Sequence, residues 1–188
     1  MEPSPQTDLE LVTRFQAGDA AAFDELMGRY KHPVLNFVYR LLGDAAEAED
    51  VAQDVFVRAH QHLGTFQFWS AGAKLSTWLF TLARNAVIDR QRWRKRHPAE
   101  PLEAVAESDF PAAADASREA SDREVGRHIA DAVGALPEDQ RTAITLAEYH
   151  GLSYADIARV MNCSEKSVET RLYRARQTLR QRLAFLLE

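Results

Sequence analysis

The sequence lacks several features that mark common protein classes. It contains a single cysteine, Cys163, which excludes an internal disulfide and a multi-cysteine zinc site. No apolar run approaches the roughly 20 residues that a membrane span needs. The N-terminal segment MEPSPQTDLE also lacks the basic and apolar regions of a signal peptide. We therefore expect a cytoplasmic protein without membrane insertion.

Patterns that indicate catalysis are missing as well. The sequence has no glycine-rich loop suited to gripping phosphate and no evident pairing of a nucleophile with a base. Its six histidines have no metal-ligand spacing, and His60 and His62 would face different sides of a helix. We expect a protein that is not an enzyme and that holds no cofactor or metal.

No segment shows the alternating pattern of a strand, so the expected fold class is all-α. Helical periodicity predicts helices over residues 20–42, 44–63, 77–94, 118–135 and 137–149. Pro33 is expected to bend or interrupt the first of these helices, because proline removes a backbone donor.

The chain divides into two small helical domains joined by a flexible acidic linker. Residues 97–117 hold three prolines, five acidic residues and no lysine or arginine, which is typical of a flexible segment. The predicted boundaries are 1–96 for the first domain, 97–120 for the linker and 121–188 for the second domain.

A formal net charge of −5 looks unsuited to a nucleic-acid binder, but the charges are segregated. Basic residues concentrate in 84–97 and in the C-terminal helix, whereas acidic residues concentrate in 44–54 and 100–124. This distribution indicates two basic surfaces for a polyanion and separate acidic surfaces for another partner.

Residues 153–182 have the pattern of a helix-turn-helix. A short helix over about Tyr154–Met161 is followed by a break at Asn162, Cys163 and Ser164, and a long basic helix starts at Glu165. Asparagine tolerates the left-handed backbone of a tight turn, and Ser164 is placed to cap the second helix. Such a second helix commonly lies in the DNA major groove. An ordinary helical hairpin with a solvated basic face is the alternative.

Two further segments carry candidate binding residues. Glu47, Asp50 and Asp54 share one side of a helix, where their repulsion brings no internal benefit. They favour a docking surface for a basic partner, with a solvated face as the alternative. Aromatic residues of the loop near Phe66 either fill the core or stack on unpaired bases. The basic helix end RQRWRKRH favours phosphate contact.

Four segments together resemble an extracytoplasmic-function sigma factor, the smallest type of bacterial sigma subunit. They are AEAEDVAQDVFVRAH, KLSTWLFTLARNAVIDRQRWRKR, LPEDQRTAITLAEYHGLSYADIARVM and SVETRLYRARQTLR, in the order and spacing of that family. The chain departs from the family at Glu169, where lysine is common, and in the loop FQFWSAGAKLSTW, which lacks a frequent arginine.

The resemblance implies a promoter-specificity subunit of RNA polymerase with three sets of site residues. Docking on the β′ clamp helices falls to Glu47, Asp50, Gln53 and Asp54. Recognition and melting of the minus-ten element fall to Phe66, Phe68, Trp69, Lys74, Arg84, Arg90, Arg92, Arg94 and Lys95. Recognition of the minus-35 element falls to Lys166, Ser167, Thr170, Arg171, Arg174 and Arg176.

The implied partners are core RNA polymerase, through the β′ clamp helices and the β flap, promoter DNA and an anti-sigma factor. Two other functions fit the residues. A stand-alone helix-turn-helix regulator would bind duplex DNA tightly without polymerase, usually at two half-sites. An all-helical adaptor would bind polymerase without reading DNA.

Overall fold

The computed structural model describes residues 5–66, 74–97 and 120–186. These residues form eight α-helices and no strand, which confirms the all-α class. The helices are α1 (Pro5–Gln16), α2 (Ala21–Leu42), α3 (Ala45–Leu63), α4 (Leu75–Arg96), α5 (Ala120–Gly134), α6 (Glu138–Ile144), α7 (Tyr154–Met161) and α8 (Glu165–Arg182). In the described parts of the chain, no helix is long and apolar enough to span a membrane.

The N-terminal module comprises α1–α4, with α2 packed against the other three helices. Its apolar stripe is fully buried at Val34, Phe37 and Val38. Pro33 lies inside α2, which continues from Ala21 to Leu42, so of the two expected effects, a bend or an interruption, the interruption does not occur. Burial along one whole face of α2 stabilises the helix enough to tolerate the backbone hydrogen bond that proline cannot make.

A tight corner separates α2 from α3. Gly43 adopts the left-handed conformation with φ of 76° and ends α2, and its amide donates to the carbonyl of Tyr39 at 2.8 Å. Asp44 then caps α3, because its carboxylate accepts a hydrogen bond from the amide of Glu47 at 2.8 Å. This corner fixes the direction in which the acidic first turns of α3 leave the core.

The C-terminal module comprises α5–α8. The single helix predicted over 137–149 is instead α6 followed by a π-helical turn, Thr145–Tyr149. Gly151 has φ of 63° and ends this segment, and α7 and α8 follow. Helix α8 packs against α6 and α7, burying Val168, Leu172 and Ala175.

The two modules pack together on one continuous apolar core. Helix α4 lies against α7, and the Arg141 guanidinium donates to the Leu41 carbonyl at 3.2 Å. His150 packs against Phe37 and Phe80, with ring centroids 5.9 and 4.6 Å away. Most of the predicted linker, residues 98–119, lies outside the described residues.

Candidate nucleic-acid and protein interfaces

The helix-turn-helix has the geometry expected from the sequence. Asn162 takes the left-handed conformation with φ of 50° between α7 and α8. The Ser164 hydroxyl then accepts a hydrogen bond from the amide of Ser167 at 3.2 Å, which caps α8. Buried Val168 and Leu172 on α8 meet buried Ile157 of α7 in the same core. The opposite side of α8 is left free to face a partner.

The six residues assigned to the minus-35 element differ in how freely they are presented. Lys166 and Arg174 are exposed. Ser167 shares a hydroxyl contact of 2.9 Å with Ser164, and Thr170 donates to the carbonyl of Lys166 at 2.9 Å. These side chains lie on the accessible side of α8.

Two of the four arginine and lysine candidates already form hydrogen bonds with other segments of the module. The Arg171 guanidinium donates to Asp139 at 2.8 Å and to the Cys163 Sγ at 3.0 Å. The Arg176 guanidinium donates to Glu148 at 2.8 Å, and this hydrogen bond is the main reason why its pKa is raised. Both arginines therefore tie α8 to the rest of the module, a role that the sequence analysis missed.

Tyr173 is a candidate interface residue that the sequence analysis also missed. It is 67% exposed and lies on α8 seven residues after Lys166 and three after Thr170, which places it on the same side of the helix. An exposed aromatic ring between exposed cations is suited to apolar contact with a base or a sugar. Helical spacing alone would have found it.

The residues assigned to the minus-ten element fall into a loop and a helix. Phe66 is half-buried against Trp78, with ring centroids 4.8 Å apart, so in this structure it contributes to the core. Phe68 and Trp69 lie outside the described residues. Lys74 is exposed just before α4, and its Nζ lies 3.5 Å from Asp156 of α7.

The basic end of α4 carries the other five residues assigned to the minus-ten element. Arg84 and Arg90 are half-buried, whereas Arg92, Arg94 and Lys95 are exposed. Trp93, 48% exposed, lies among them. Its ring stacks on His97 with centroids 5.0 Å apart. This end of α4 therefore presents cations and one aromatic face to solvent.

The acidic face of α3 lies next to that basic end. Arg94 contacts Glu47 at 3.2 Å, and Arg90 lies 3.8 Å from Asp50. Gln53 and Asp54 are exposed one turn further along α3. The sequence predicted separate acidic and basic surfaces, but the fold makes these surfaces neighbours that partly neutralise each other.

A groove of about 780 Å³ runs between α2 and α3 beside these acids. Its lining is mainly apolar, with Gln53, Glu49 and Lys31 among its polar members. The apolar lining residues are Phe23, Met27, Leu35, Ala52, Phe56 and Val57. The docking face assigned to α3 therefore combines charge with an apolar depression.

The described residues hold no group of three or more histidine, cysteine or carboxylate side chains that could bind a metal ion.

Two family models match the chain, "Sigma-70 region 2" over residues 26–97 and "Sigma-70, region 4" over residues 127–179. The first match spans α2–α4 and the second spans most of α5 to α8.

Two similar proteins are named as RNA polymerase sigma factors. The chain is 38% identical over 189 residues to the RNA polymerase sigma-H factor of Pseudomonas aeruginosa, covering 97% of this chain and 96% of that protein. It is 36% identical to the ECF RNA polymerase sigma factor SigM of Mycobacterium tuberculosis, covering 96% and 87%. The chain belongs to the extracytoplasmic-function sigma factors.

Two solved structures resemble this sigma factor over most of its length. CnrH in complex with the cytosolic domain of CnrY has a TM-score of 0.70 at 26% identity, covering 95% of this chain and 97% of that chain. RpoE in complex with the anti-sigma factor NepR from Bartonella quintana has a TM-score of 0.69 at 26% identity, covering 86% and 96%. In this sigma factor, α2–α4 correspond to region 2 and the helix-turn-helix belongs to region 4.

Proposed function

We propose that this sigma factor is a dissociable specificity subunit, which binds core RNA polymerase, directs it to promoters and supports melting without catalysing a reaction. The observation that carries the proposal is the presence of an acidic docking face and an exposed recognition helix on region 2 and region 4 of one chain. We assign 1–96 to the first domain, 97–120 to the linker and 121–188 to the second domain. Because the proposed role is in transcription, we assign the protein to the cytoplasm.

Core polymerase docks on the acidic face of α3. Asp50 has 72% of its side chain exposed, and Gln53 and Asp54 are exposed beside it. Glu47 is more enclosed, because its carboxylate contacts Arg94. The β′ clamp helices are the partner assigned to this face, and the β flap is assigned to the C-terminal module. Exposed acids steer a basic partner and set its register.

The exposed side of α8 reads the minus-35 element. Lys166, Thr170 and Arg174 are presented to solvent together with Tyr173. An arginine fork suits a guanine edge or a phosphate, and a tyrosine ring suits a thymine methyl or a sugar. Arg171 and Arg176 act mainly by holding α8 in place, since carboxylates of α6 and of the π-helical turn engage their guanidinium groups.

The basic end of α4 holds the minus-ten element. Its exposed cations Arg92, Arg94 and Lys95 neutralise phosphates, and the loop before α4 accepts unpaired bases. The cost of unpairing is met by these contacts rather than by nucleotide hydrolysis. No separate energy source is required.

An anti-sigma factor is the third partner that we assign. The structures similar to this chain include RpoE in complex with the anti-sigma factor NepR, and CnrH with the cytosolic domain of CnrY. The groove between α2 and α3 offers an apolar surface for such an inhibitor. Since Gln53 and Glu49 line that groove, an inhibitor seated there would also cover the docking face.

Charge reversal on α3 tests the docking assignment. Glu47→Lys with Asp50→Lys should abolish binding to purified core polymerase in a fluorescence anisotropy titration, because two of the three acids assigned to the docking face change sign. The matched control is Glu10→Lys with Asp24→Lys, which makes the same charge change at exposed residues of α1 and α2.

Circular dichroism should show unchanged helix content in both double variants. Normal core affinity of the α3 variant would remove the docking assignment. A stand-alone regulator would bind promoter duplex without core polymerase, so tight binding by the free wild-type protein would favour that alternative.

A further inference from the structure

A carboxylate lies on the exposed side of α8, among the residues assigned to the minus-35 element. Glu169 is exposed and lies three residues after Lys166 and four before Tyr173, so helical spacing places these side chains on the same side of α8. Tyr173 is 67% exposed there. DNA that approaches this side of the helix therefore meets a negative charge as well as cations.

Glu169 does not hold the C-terminal module together. Other acidic residues of the module are engaged within it, since Asp139 contacts Arg171 at 2.8 Å and Glu148 contacts Arg176 at 2.8 Å. With the residues that the structure describes, the Glu169 carboxylate forms neither an ion pair nor a hydrogen bond. Its oxygens are available to accept hydrogen bonds from a partner.

Helix α8 itself gains little from a negative charge at this position. Glu165, in the first turn of α8, interacts favourably with the helix dipole. Glu169 lies one turn further along, where that effect has largely faded. Lys166 precedes Glu169 in the chain, which is the less favourable order for an ion pair on a helix. Helix stability therefore does not account for Glu169.

A carboxylate on a DNA-binding surface opposes binding in general. Contacts of lysine and arginine with phosphates supply much of the affinity of such a surface, and a carboxylate repels the same phosphates. Helix α8 carries six basic residues and only two acidic ones, Glu165 and Glu169. The repulsion at Glu169 is offset only where its carboxylate accepts a hydrogen bond from the DNA.

The major groove offers two base groups that can donate such a hydrogen bond, N4 of cytosine and N6 of adenine. Adenine N6 lies beside N7, an acceptor that repels a carboxylate, whereas cytosine presents its N4 donor without an acceptor of its own. Guanine presents two acceptors, and thymine presents an acceptor and a methyl group. Cytosine is therefore the base that matches a carboxylate.

We propose that Glu169 is a specificity-determining residue, which accepts a hydrogen bond from N4 of a cytosine in the minus-35 element and disfavours the other three bases there. The inference rests on the proposed function, because it takes α8 as the reader of this element. N-terminal residues of a recognition helix contact base edges, and Glu169 is the fifth residue of α8. Its repulsion of unmatched sequences increases discrimination between promoters rather than affinity.

Glu169→Gln tests the proposal, because glutamine keeps the shape of the side chain but removes the charge and adds a donor. Holoenzyme would select from duplexes built on a promoter that it uses, with the minus-35 region randomised. Wild type should enrich a cytosine at one position. Glu169→Gln should shift the ratio of adenine to cytosine at that position by about tenfold, because glutamine pairs with N6 and N7 of adenine.

Two further variants accompany this experiment. Glu169→Ala removes the acceptor without adding a donor, so it should bring the four bases close to equal at the same position. Glu10→Gln makes the matched change at an exposed residue of α1 and should select the wild-type sequence. Circular dichroism should show the same helix content in all variants, and Glu169→Ala decides should Glu169→Gln lose helix content.

Each outcome has a defined meaning. If wild-type holoenzyme uses no promoter, or enriches no sequence in the randomised region, the proposed function fails. If it enriches a sequence and both Glu169 variants enrich the same bases at every position, the specificity role is refuted. Higher affinity of the variants for every duplex, without a change in base preference, would equally refute it, since general repulsion alone gives that result. A change at a position where wild type does not prefer cytosine would refute the assignment of the base.

Discussion

The titration of His150 gives the sharpest quantitative prediction. Burial against Phe37 and Phe80, with a smaller effect of the nearby Arg40 charge, lowers its pKa from 6.5 to about 4. In the unfolded chain the imidazole titrates at its ordinary value. Between these two pKa values the unfolded state binds a proton that the native state does not, so stability falls as pH falls.

The size of the effect follows from the two pKa values. At pH 7.5 the histidine is neutral in both states and contributes nothing to the pH dependence. At pH 5 the proton bound only by the unfolded chain costs about 2 kcal/mol of stability, and the loss approaches roughly 3 kcal/mol at pH 4. Other groups titrate over the same range, so a variant must isolate the contribution of His150.

His150→Phe provides that isolation, because phenylalanine keeps an aromatic ring packed against Phe37 and Phe80 but cannot be protonated. Urea unfolding followed by circular dichroism at pH 7.5 and pH 5 gives the free energy of unfolding of both proteins. Wild type should lose about 2 kcal/mol more than His150→Phe between these pH values. Equal losses within about 0.5 kcal/mol would show that His150 is not buried in the neutral form, and the described contact would be wrong.

Two other predictions concern single side chains. Arg174→Ala should weaken binding of the holoenzyme to minus-35 duplex and reduce the salt dependence of that affinity by about one phosphate contact. Arg176→Ala should mainly lower the melting temperature of the protein, because the Arg176 guanidinium is hydrogen-bonded to Glu148. The opposite pattern in binding and melting experiments would reverse the roles given to the two arginines. Gly43→Ala should destabilise the protein by about 1 kcal/mol in urea unfolding, because φ of 76° is unfavourable for alanine. An unchanged free energy of unfolding would contradict the corner described between α2 and α3.

Much of the fold was predictable because local signals agree with the tertiary structure. Asn162 forms the left-handed turn of the helix-turn-helix, and Ser164 caps α8 by accepting a hydrogen bond from the amide of Ser167. Both effects depend on residues close in sequence. The α3 cap at Asp44 is local in the same way. Pro33 was expected to bend or interrupt α2, and it does not interrupt the helix because packing of α2 along its length outweighs a local preference.

The arrangement of the candidate sites was less predictable, because it depends on contacts between distant residues. The ion pair between Arg94 and Glu47 joins residues 47 positions apart, and no periodicity reveals it. The hydrogen bond between Thr77 and Asp156 joins residues 79 positions apart. Composition predicted a division into two domains, and only the packing showed that their surfaces meet.

Start-site mapping with purified core polymerase shows whether this chain selects promoters. A library of genomic fragments would be transcribed by core enzyme alone and by core enzyme with this sigma factor, and the 5′ ends of the transcripts would be sequenced. We expect discrete start sites that appear only with the sigma factor, preceded by shared minus-ten and minus-35 sequences. Transcripts with the same 5′ ends in both reactions would contradict it.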